Sequence, residues 1–272
     1  MTEAVDDVGR VLTLRERPGR VISLVPSLTE AVAVSAPGVL IGVTDWCTHP
    51  ADLDVRGVVR LGGTKNPNLD AITDLAADLV IANEEENRQA DLAELHRRGV
   101  PVYVTDIRTV DQALSSIGRL LRLLADTETG APVNTGWLDE AVAAWADPPQ
   151  CPPTADGNRP RVIVPIWRRP WMALGSDTYA GDVLRRLGVD NMLSDSVERY
   201  PRFDPADPLM QGADLIVLPD EPYAFSATDG PEAFGQRPYA LVDGRSLTWY
   251  GPAMVQAPGR LAAALAAAAP AD

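Results

Sequence analysis

Short apolar runs alternate with amphipathic stretches along the first third of the chain. The runs at 20–25, 39–43, 79–82 and 100–104 are rich in β-branched residues and predict strands. A helix capped by Ser27 is expected after the first run, and another over 88–98 before the last. Strands separated by helices indicate right-handed crossovers and a mostly parallel sheet, whose ligands usually bind at the carboxyl ends of the strands.

The middle of the chain has a different pattern. From Thr109 to Leu124 apolar residues recur every three or four positions without a proline, which predicts a long amphipathic helix. A second helix is expected over 135–145, and the proline-rich segment 147–157 is expected to be irregular.

After that segment the alternation begins again. We expect strands over 161–167, 213–219 and 240–242, a helix over 180–187 that Asp177 could cap, a turn at 243–245 and an alanine-rich C-terminal helix. Both halves contain an Ala-Asp-Leu strand followed by an acidic loop, at 77–87 and at 213–222. The predicted fold class is therefore α/β, with two similar lobes and mostly parallel sheets.

Composition and charge narrow the function classes. The chain has 272 residues, 46% hydrophobic residues and a formal net charge of -14, as expected of a soluble globular protein. Such an acidic surface repels phosphate backbones, so nucleic acid is not expected as a partner. No apolar run reaches the roughly 20 residues that a membrane helix needs, so membrane insertion is not expected. The acidic N-terminus lacks a signal pattern, which predicts a cytoplasmic protein, or a periplasmic protein or extracellular lipoprotein if a leader was removed.

Few residues are available for metal binding or catalysis. Two cysteines without a C-x-x-C pair and two histidines give no metal-ligand set, and no prosthetic group is expected. No P-loop, dinucleotide fingerprint or H-E-x-x-H motif is present. We expect a protein that is not an enzyme. A hydrolase using Ser27 is the alternative from another class, although Ser27 lacks a G-x-S-x-G elbow.

Five sequence blocks follow one another in the first third of the chain: Arg20 to Glu30, Ile41 to Asp45, Leu61 to Thr64, Asn68 to Ile72 and Ala77 to Ile81. Together they resemble the N-lobe signature of the helical-backbone metal-chelate receptors, the class III substrate-binding proteins that bind vitamin B12, siderophores or haem. A looser similarity continues through 181–188 and 213–218.

The resemblance implies an organisation and a function. It implies an N-terminal lobe over 1–108, a single backbone helix over 109–126, a C-terminal lobe over 127–272 and a ligand cleft between the lobes. It also implies that the protein is not an enzyme and binds a bulky metal chelate. A corrinoid such as cobalamin is the first expectation, and haem or a ferric siderophore is the alternative. The protein is expected to be a monomer that serves an ABC permease, or a cytosolic relative of such proteins. Asp70 and Asp207 match the positions that dock the permease, where the family usually has Glu.

Aromatic and charged residues in the loops are the candidate ligand contacts. Six tryptophans stand against three phenylalanines, and four of them are placed just beyond predicted strands, whereas Trp137 and Trp145 have helical spacing and are expected to pack. His49 and Tyr179 could be structural or could touch the ligand, and the acidic run at 84–86 could be a solvated loop. Asp220, Glu221 and Tyr223 are secondary candidates. The predicted contact set is Trp46, His49, Glu85, Trp167, Arg168, Arg169, Trp171, Tyr179, Trp249 and Tyr250.

Overall fold

The computed structural model describes residues 2–124 and 133–268, which form two compact units. Within the described ranges, unit 1 comprises 2–107, 111–124, 133–139 and 250–252, and unit 2 comprises 108–110, 140–249 and 253–268. The predicted division into lobes over 1–108 and 127–272 with a helix over 109–126 stays a prediction.

Unit 1 is built on a five-stranded parallel sheet. Its strands are β3 (Val21–Ser23), β4 (Leu40–Val43), β5 (Val59–Arg60), β8 (Leu79–Asn83) and β9 (Val102–Thr105), in the order β5-β4-β3-β8-β9. Two antiparallel hairpins accompany the sheet, formed by β1 (Thr2–Val5) with β2 (Val11–Leu14) and by β6 (Gly62–Gly63) with β7 (Asn66–Pro67). The helices are α1 (Pro26–Ser35), α2 (Leu69–Asp74), α3 (Gln89–Arg97), most of α4 (Val110–Leu124) and the start of α5 (Gly136–Ala146).

The central strands of unit 1 are buried on both faces, as parallel strands covered by helices should be. Ile22, Val80 and Val104 belong to one core cluster with residues of α2 and α3. In α4 the predicted apolar stripe is buried, including Ala113, Ile117 and Leu121. The alternating pattern therefore predicted the amphipathic helix and four of the five strands correctly, and it missed β5.

Unit 2 is built on a four-stranded parallel sheet. Its strands are β10 (Arg161–Ile163), β13 (Asp190–Asn191), β14 (Leu215–Pro219) and β15 (Tyr239–Val242), in the order β13-β10-β14-β15. A separate antiparallel hairpin is formed by β11 (Pro165–Arg168) and β12 (Trp171–Ala173). The helices α6 (Tyr179–Arg186), α7 (Gly244–Thr248) and α8 (Ala257–Ala266) accompany the sheet, with 3-10 helices at Pro208–Gly212, Pro231–Phe234 and Pro252–Val255.

The core of unit 2 is partly aromatic. Ile163, Ile216 and Leu218 of the sheet pack with Phe225 and Phe234 from the connection between β14 and β15. The two α/β units with parallel sheets confirm the predicted fold class. Among the described residues, no helix is both long enough and apolar enough to cross a membrane.

Two predicted helix caps are wrong. Ser27 does not cap α1, because the helix begins at Pro26 with Val25 as the N-cap residue and Ser27 is 3% exposed in the first turn. Thr178, not Asp177, caps α6, since Thr178 Oγ1 accepts the backbone N–H of Gly181 at 3.2 Å. Asp177 instead pairs with Arg108 and lies 3.6 Å from Arg199 Nη2.

Two element boundaries also differ from the prediction. The expected strand over 161–167 is divided at Val164, because β10 belongs to the parallel sheet whereas β11 turns away to pair with β12. The expected turn at 243–245 is the start of α7. Both corrections concern segments in which local hydrogen bonding, rather than apolar periodicity, fixes the backbone.

Candidate functional site

The carboxyl edge of the unit 1 sheet carries an exposed indole. Trp46 follows β4 and its side chain is 65% exposed, which is unusual for so large an apolar ring. Its Nε1 would lie 3.5 Å from a Cβ atom built on Gly63, so the indole rests close to the β6–β7 hairpin. We call Trp46, His49, Lys65, Glu85 and Glu86 the Trp46 face.

Side-chain hydrogen bonds hold the loop that carries Trp46 and His49 in place. Arg60 Nη1 donates to the carbonyl oxygens of Thr44 at 3.0 Å and Cys47 at 2.8 Å, which fixes the loop that carries Trp46. His49, half-buried in the same loop, is hydrogen-bonded through Nδ1 to Thr48 Oγ1 at 3.0 Å. The indole is therefore presented by an ordered loop.

The acidic loop after β8 is fixed by two buried asparagines. Asn83 Oδ1 accepts the backbone N–H of Glu85 at 2.9 Å and that of Glu86 at 3.2 Å. Asn87 Nδ2 donates to the carbonyl oxygen of Thr64 at 3.0 Å, which ties this loop to the β6–β7 hairpin, and Lys65 Nζ reaches the Glu85 carbonyl oxygen at 2.5 Å. Ordered loops lose little conformational entropy when a ligand binds.

Tyr250 supports this loop from inside unit 1. Its side chain is 6% exposed, and its hydroxyl donates to Glu86 Oε1 at 3.3 Å. Burial and the nearby charge of Glu86 raise the pKa of Tyr250 well above its ordinary value, so the hydroxyl remains protonated. The structure thus makes Tyr250 a support for Glu86 and leaves it little surface for the ligand contact that the sequence predicted.

The carboxyl edge of the unit 2 sheet carries a second aromatic cluster. Trp167 is 43% exposed on β11, with its ring centroid 5.7 Å from that of Tyr223. Arg168 on the same strand forms ion pairs with Asp229 and Glu232, and its Cζ lies 5.4 Å from the Trp171 ring. We call the following six residues the hairpin face: Trp167, Arg168, Trp171, Tyr223, Asp229 and Glu232.

Trp171 differs from Trp167 in its surroundings. Its ring stacks on Phe225 at a centroid distance of 6.0 Å and meets Phe203 and Phe234 edge-on at 5.9 and 5.5 Å. It packs against the core cluster of unit 2 and is only partly exposed. The prediction that Trp167 and Trp171 lie in loops just beyond strands is wrong, because both lie within the β11–β12 hairpin.

The remaining predicted contacts in unit 2 fall into two groups. Arg169 is exposed in the turn of the hairpin, and Trp249 is half-buried after α7, with Arg245 Cζ 5.4 Å from its ring. Tyr179 is 5% exposed in the first turn of α6, where burial raises the pKa of its hydroxyl. A ligand on the surface can reach Arg169 and Trp249, whereas Tyr179 is enclosed.

Asp220 and Glu221, two of the secondary candidates, follow β14 in unit 2. Asp220 Oδ1 accepts the backbone N–H of Gly244 at 2.7 Å and so anchors the start of α7. Burial raises the pKa of Glu221, and a hydrogen bond from Trp249 acts against that rise. Within the described residues, no group of three or more His, Cys, Asp and Glu side chains could hold a metal ion.

Some functional candidates were missed by the sequence analysis. Asn83, Asn87, Arg60, Asp229 and Glu232 position the predicted contacts, and none of them was singled out for that role. The asparagines could have been suspected because they flank the acidic run. Asp229 and Glu232 could not, since they are more than 60 residues from Arg168.

Curated relatives were found by sequence comparison, although no protein-family model matches the chain. A vitamin B12-binding protein of Pectobacterium carotovorum is 24% identical over 209 residues, 75% of this chain and 72% of that protein. A cobalamin-binding protein of Halobacterium salinarum is 27% identical over 219 residues, 78% of this chain and 57% of that protein.

Solved structures share the fold over nearly the whole chain. The periplasmic vitamin B12-binding protein of Vibrio cholerae superposes with a TM-score of 0.70 at 19% identity, covering 92% of this chain and 97% of that one. A periplasmic haem-binding protein from Pseudomonas aeruginosa gives a TM-score of 0.65 at 19% identity, covering 93% and 95%. The resemblance predicted from the five blocks is confirmed: in sequence and in fold the chain is similar to the class III substrate-binding proteins, the helical-backbone metal-chelate receptors.

Proposed function

We propose that this protein binds a bulky metal chelate, a corrinoid of the cobalamin type, and releases it unchanged. The observation that carries the proposal is the pair of exposed indoles, Trp46 and Trp167, each at the carboxyl edge of a parallel sheet. Ligands of open α/β sheets bind at that edge, and aromatic rings give a large flat ligand apolar contact at small entropic cost. The names of the curated relatives support the choice of a corrinoid.

The proposed contacts follow from exposure and charge. Within unit 1 the proposed contact residues are Trp46, His49 and Glu85, and within unit 2 they are Trp167, Arg169 and Trp249. Arg168 and Trp171 would shape the hairpin face, because the first is held by two carboxylates and the second by three phenylalanines. Tyr179 and Tyr250 are buried in their units and would support neighbouring residues without touching the ligand.

Haem is the second candidate ligand, since a haem-binding protein shares the fold. Haem carries propionate carboxylates, whereas the periphery of a corrinoid such as cobinamide is made of amides. The acidic run Glu84-Glu85-Glu86, two residues of which belong to the Trp46 face, suits amides better than carboxylates. A ferric siderophore remains the third candidate. A hydrolase using Ser27 has less support, because a hydroxyl that is 3% exposed offers no access to a substrate.

We further propose that the protein acts as a monomer and delivers its ligand to an ABC permease. Asp70 of unit 1 has a side chain that is 86% exposed and pairs with Arg98 Nη1 at 2.7 Å. Asp207 of unit 2 is exposed and caps a 3-10 helix by accepting the N–H of Leu209 at 2.8 Å. Exposed carboxylates of this kind suit basic pockets on a partner.

Tryptophan fluorescence tests the proposed ligand class. The purified protein is titrated with cobalamin, cobinamide, hemin and a ferric siderophore, and N-acetyltryptophanamide at equal absorbance corrects for the light that each chelate absorbs. Saturable quenching by a corrinoid at micromolar or lower concentration, weakened in Trp46→Ala and Trp167→Ala but not in Trp137→Phe, is the expected result. Saturation by hemin alone would favour the second candidate, and no saturation would reject the proposal.

A further inference from the structure

The hairpin face contains a guanidinium that is already neutralised within unit 2. Arg168 pairs through Nη1 with Asp229 and through Nη2 with Glu232. Its side chain is 19% exposed and lies against the ring of Trp171. Both terminal nitrogens of Arg168 are therefore engaged by carboxylates of the chain itself.

The two carboxylates are themselves held in position. Tyr223 donates its hydroxyl to Asp229 Oδ2 at 2.7 Å, and the backbone N–H of Gly230 donates to Glu232 Oε2 at 2.7 Å. Burial tends to raise the pKa of Glu232, but these backbone hydrogen bonds and the charge of Arg168 outweigh it and lower the pKa. Glu232 is accordingly ionised at neutral pH, and the pair of ion pairs is preorganised.

Carboxylates outnumber guanidinium groups along this edge of unit 2. The hairpin and the segments beside it carry four arginines and five acidic residues: Arg168, Arg169, Arg202 and Arg245, with Asp220, Glu221, Asp229, Glu232 and Asp243. Arg245 lies against the Trp249 ring, whereas Arg169 and Arg202 are exposed. A ligand carboxylate that approaches Arg168 would meet the like charges of Asp229 and Glu232.

We propose that Asp229 and Glu232 determine specificity by occupying Arg168, so that the hairpin face accepts chelates with amide or cationic peripheries and excludes chelates that carry carboxylates. This inference rests on the proposed function and specifies the ligand class of the same face. Arg168 with Asp229 and Glu232 brings together one positive and two negative charges, so the group repels a further carboxylate from a ligand but does not repel an amide or a cation.

Two corrinoids with the same metal and ring provide matched probes. Cobinamide carries amides around the corrin, whereas cobyrinic acid carries carboxylates at the corresponding positions. Dissociation constants for both are measured by isothermal titration calorimetry at pH 7.5 in low salt. The ratio of the two constants is the readout, because a general loss of folding or of corrin binding affects both probes alike.

The test uses one double variant and two comparisons. Asp229→Asn with Glu232→Gln keeps the shapes of both side chains and removes both charges. Asp156→Asn with Asp190→Asn removes the same number of charges from two exposed positions, one in the loop before β10 and one on β13, and so controls for net charge. Arg168→Ala is then added to the first double variant.

The expected results are quantitative. The wild-type protein should bind cobinamide at least tenfold more tightly than cobyrinic acid. This ratio of dissociation constants should fall at least tenfold in Asp229→Asn with Glu232→Gln and remain unchanged in the control pair. It should return toward the wild-type value when Arg168→Ala is added to the first double variant. A wild-type protein that binds both corrinoids equally, or a ratio that the double variant leaves unchanged, would overturn the inference alone. Failure of the wild-type protein to bind any chelate would overturn the proposed function and the inference with it.

Discussion

Truncation of Trp171 should cost much more stability than truncation of Trp167, although the two residues are four positions apart in the sequence and belong to one hairpin. Trp171→Ala removes a ring that contacts three phenylalanines of unit 2. Truncation of a buried aromatic side chain costs about 3–5 kcal/mol, and Trp171 is only partly buried, so we expect a loss of about 3 kcal/mol in the free energy of unfolding.

Trp167→Ala should cost much less stability. Its side chain is 43% exposed, and its ring pairs with that of Tyr223. Aromatic pairs contribute about 0.5–1.5 kcal/mol beyond their burial, so we expect a loss of about 1 kcal/mol. The same variant should weaken corrinoid binding, because the exposed indole is a proposed contact.

Urea unfolding followed by circular dichroism measures both stability changes, and fluorescence titration measures the binding change. Trp171→Phe is the matched control, since it retains a ring in the cluster and should recover most of the stability lost in Trp171→Ala. If Trp171→Ala were within about 1 kcal/mol of the wild-type protein, the reasoning that Trp171 is a packing residue would be refuted.

Three other changes have expected outcomes. Asp182→Asn should lower stability at pH 7 by about 2 kcal/mol, because the carboxylate accepts the N–H of Val110 at 2.9 Å and pairs with two arginines. Burial alone would raise the pKa of Asp182, but these bonds lower it below the ordinary value of an aspartate. The stabilisation by Asp182 is therefore present above the ordinary pKa and is lost as the pH falls through the lower pKa of the folded state. In urea unfolding, the difference in stability between the variant and the wild-type protein should narrow below about pH 4. A difference that stays constant would contradict the stabilising role of the Asp182 carboxylate. Gly175→Ala should lower the melting temperature, because a Cβ atom at this position would collide with the carbonyl oxygen of Glu198 and lie 2.9 Å from the carbonyl oxygen of Arg199. An unchanged melting temperature would argue against this close approach. Cys47 and Cys151 are buried and burial raises the pKa of both thiols, so a chromogenic disulfide reagent should label them only after unfolding in guanidinium, and rapid labelling of the native protein would contradict their burial.

Apolar periodicity predicted most of the fold because burial is what the parallel strands and amphipathic helices have in common. The apolar run at 79–82 became β8, and the three- and four-residue spacing from Thr109 became α4. Prediction failed where a polar side chain or a hairpin set the backbone. The division of the strand at Val164 and the cap at Thr178 depend on hydrogen bonds that leave no apolar pattern.

The candidate site could be predicted only in part. The pattern of strands placed Trp46 correctly in the loop after β4, but it did not predict the β11–β12 hairpin that carries Trp167 and Arg168. Sequence could not separate Trp167 from Trp171, because their difference lies in contacts with Phe203, Phe225 and Phe234 across the fold. Nor could it show that Arg168 is occupied, since Asp229 and Glu232 approach it from a distant segment.

Equilibrium dialysis of the intact protein against cobinamide tests the central claim most directly. We expect saturable binding with a dissociation constant in the micromolar range or below, weaker binding by Trp46→Ala and Trp167→Ala, and recovery of the bound ligand with unchanged mass after the protein is denatured. Absence of saturable binding to cobinamide and cobalamin, or recovery of a chemically altered ligand, would contradict the account.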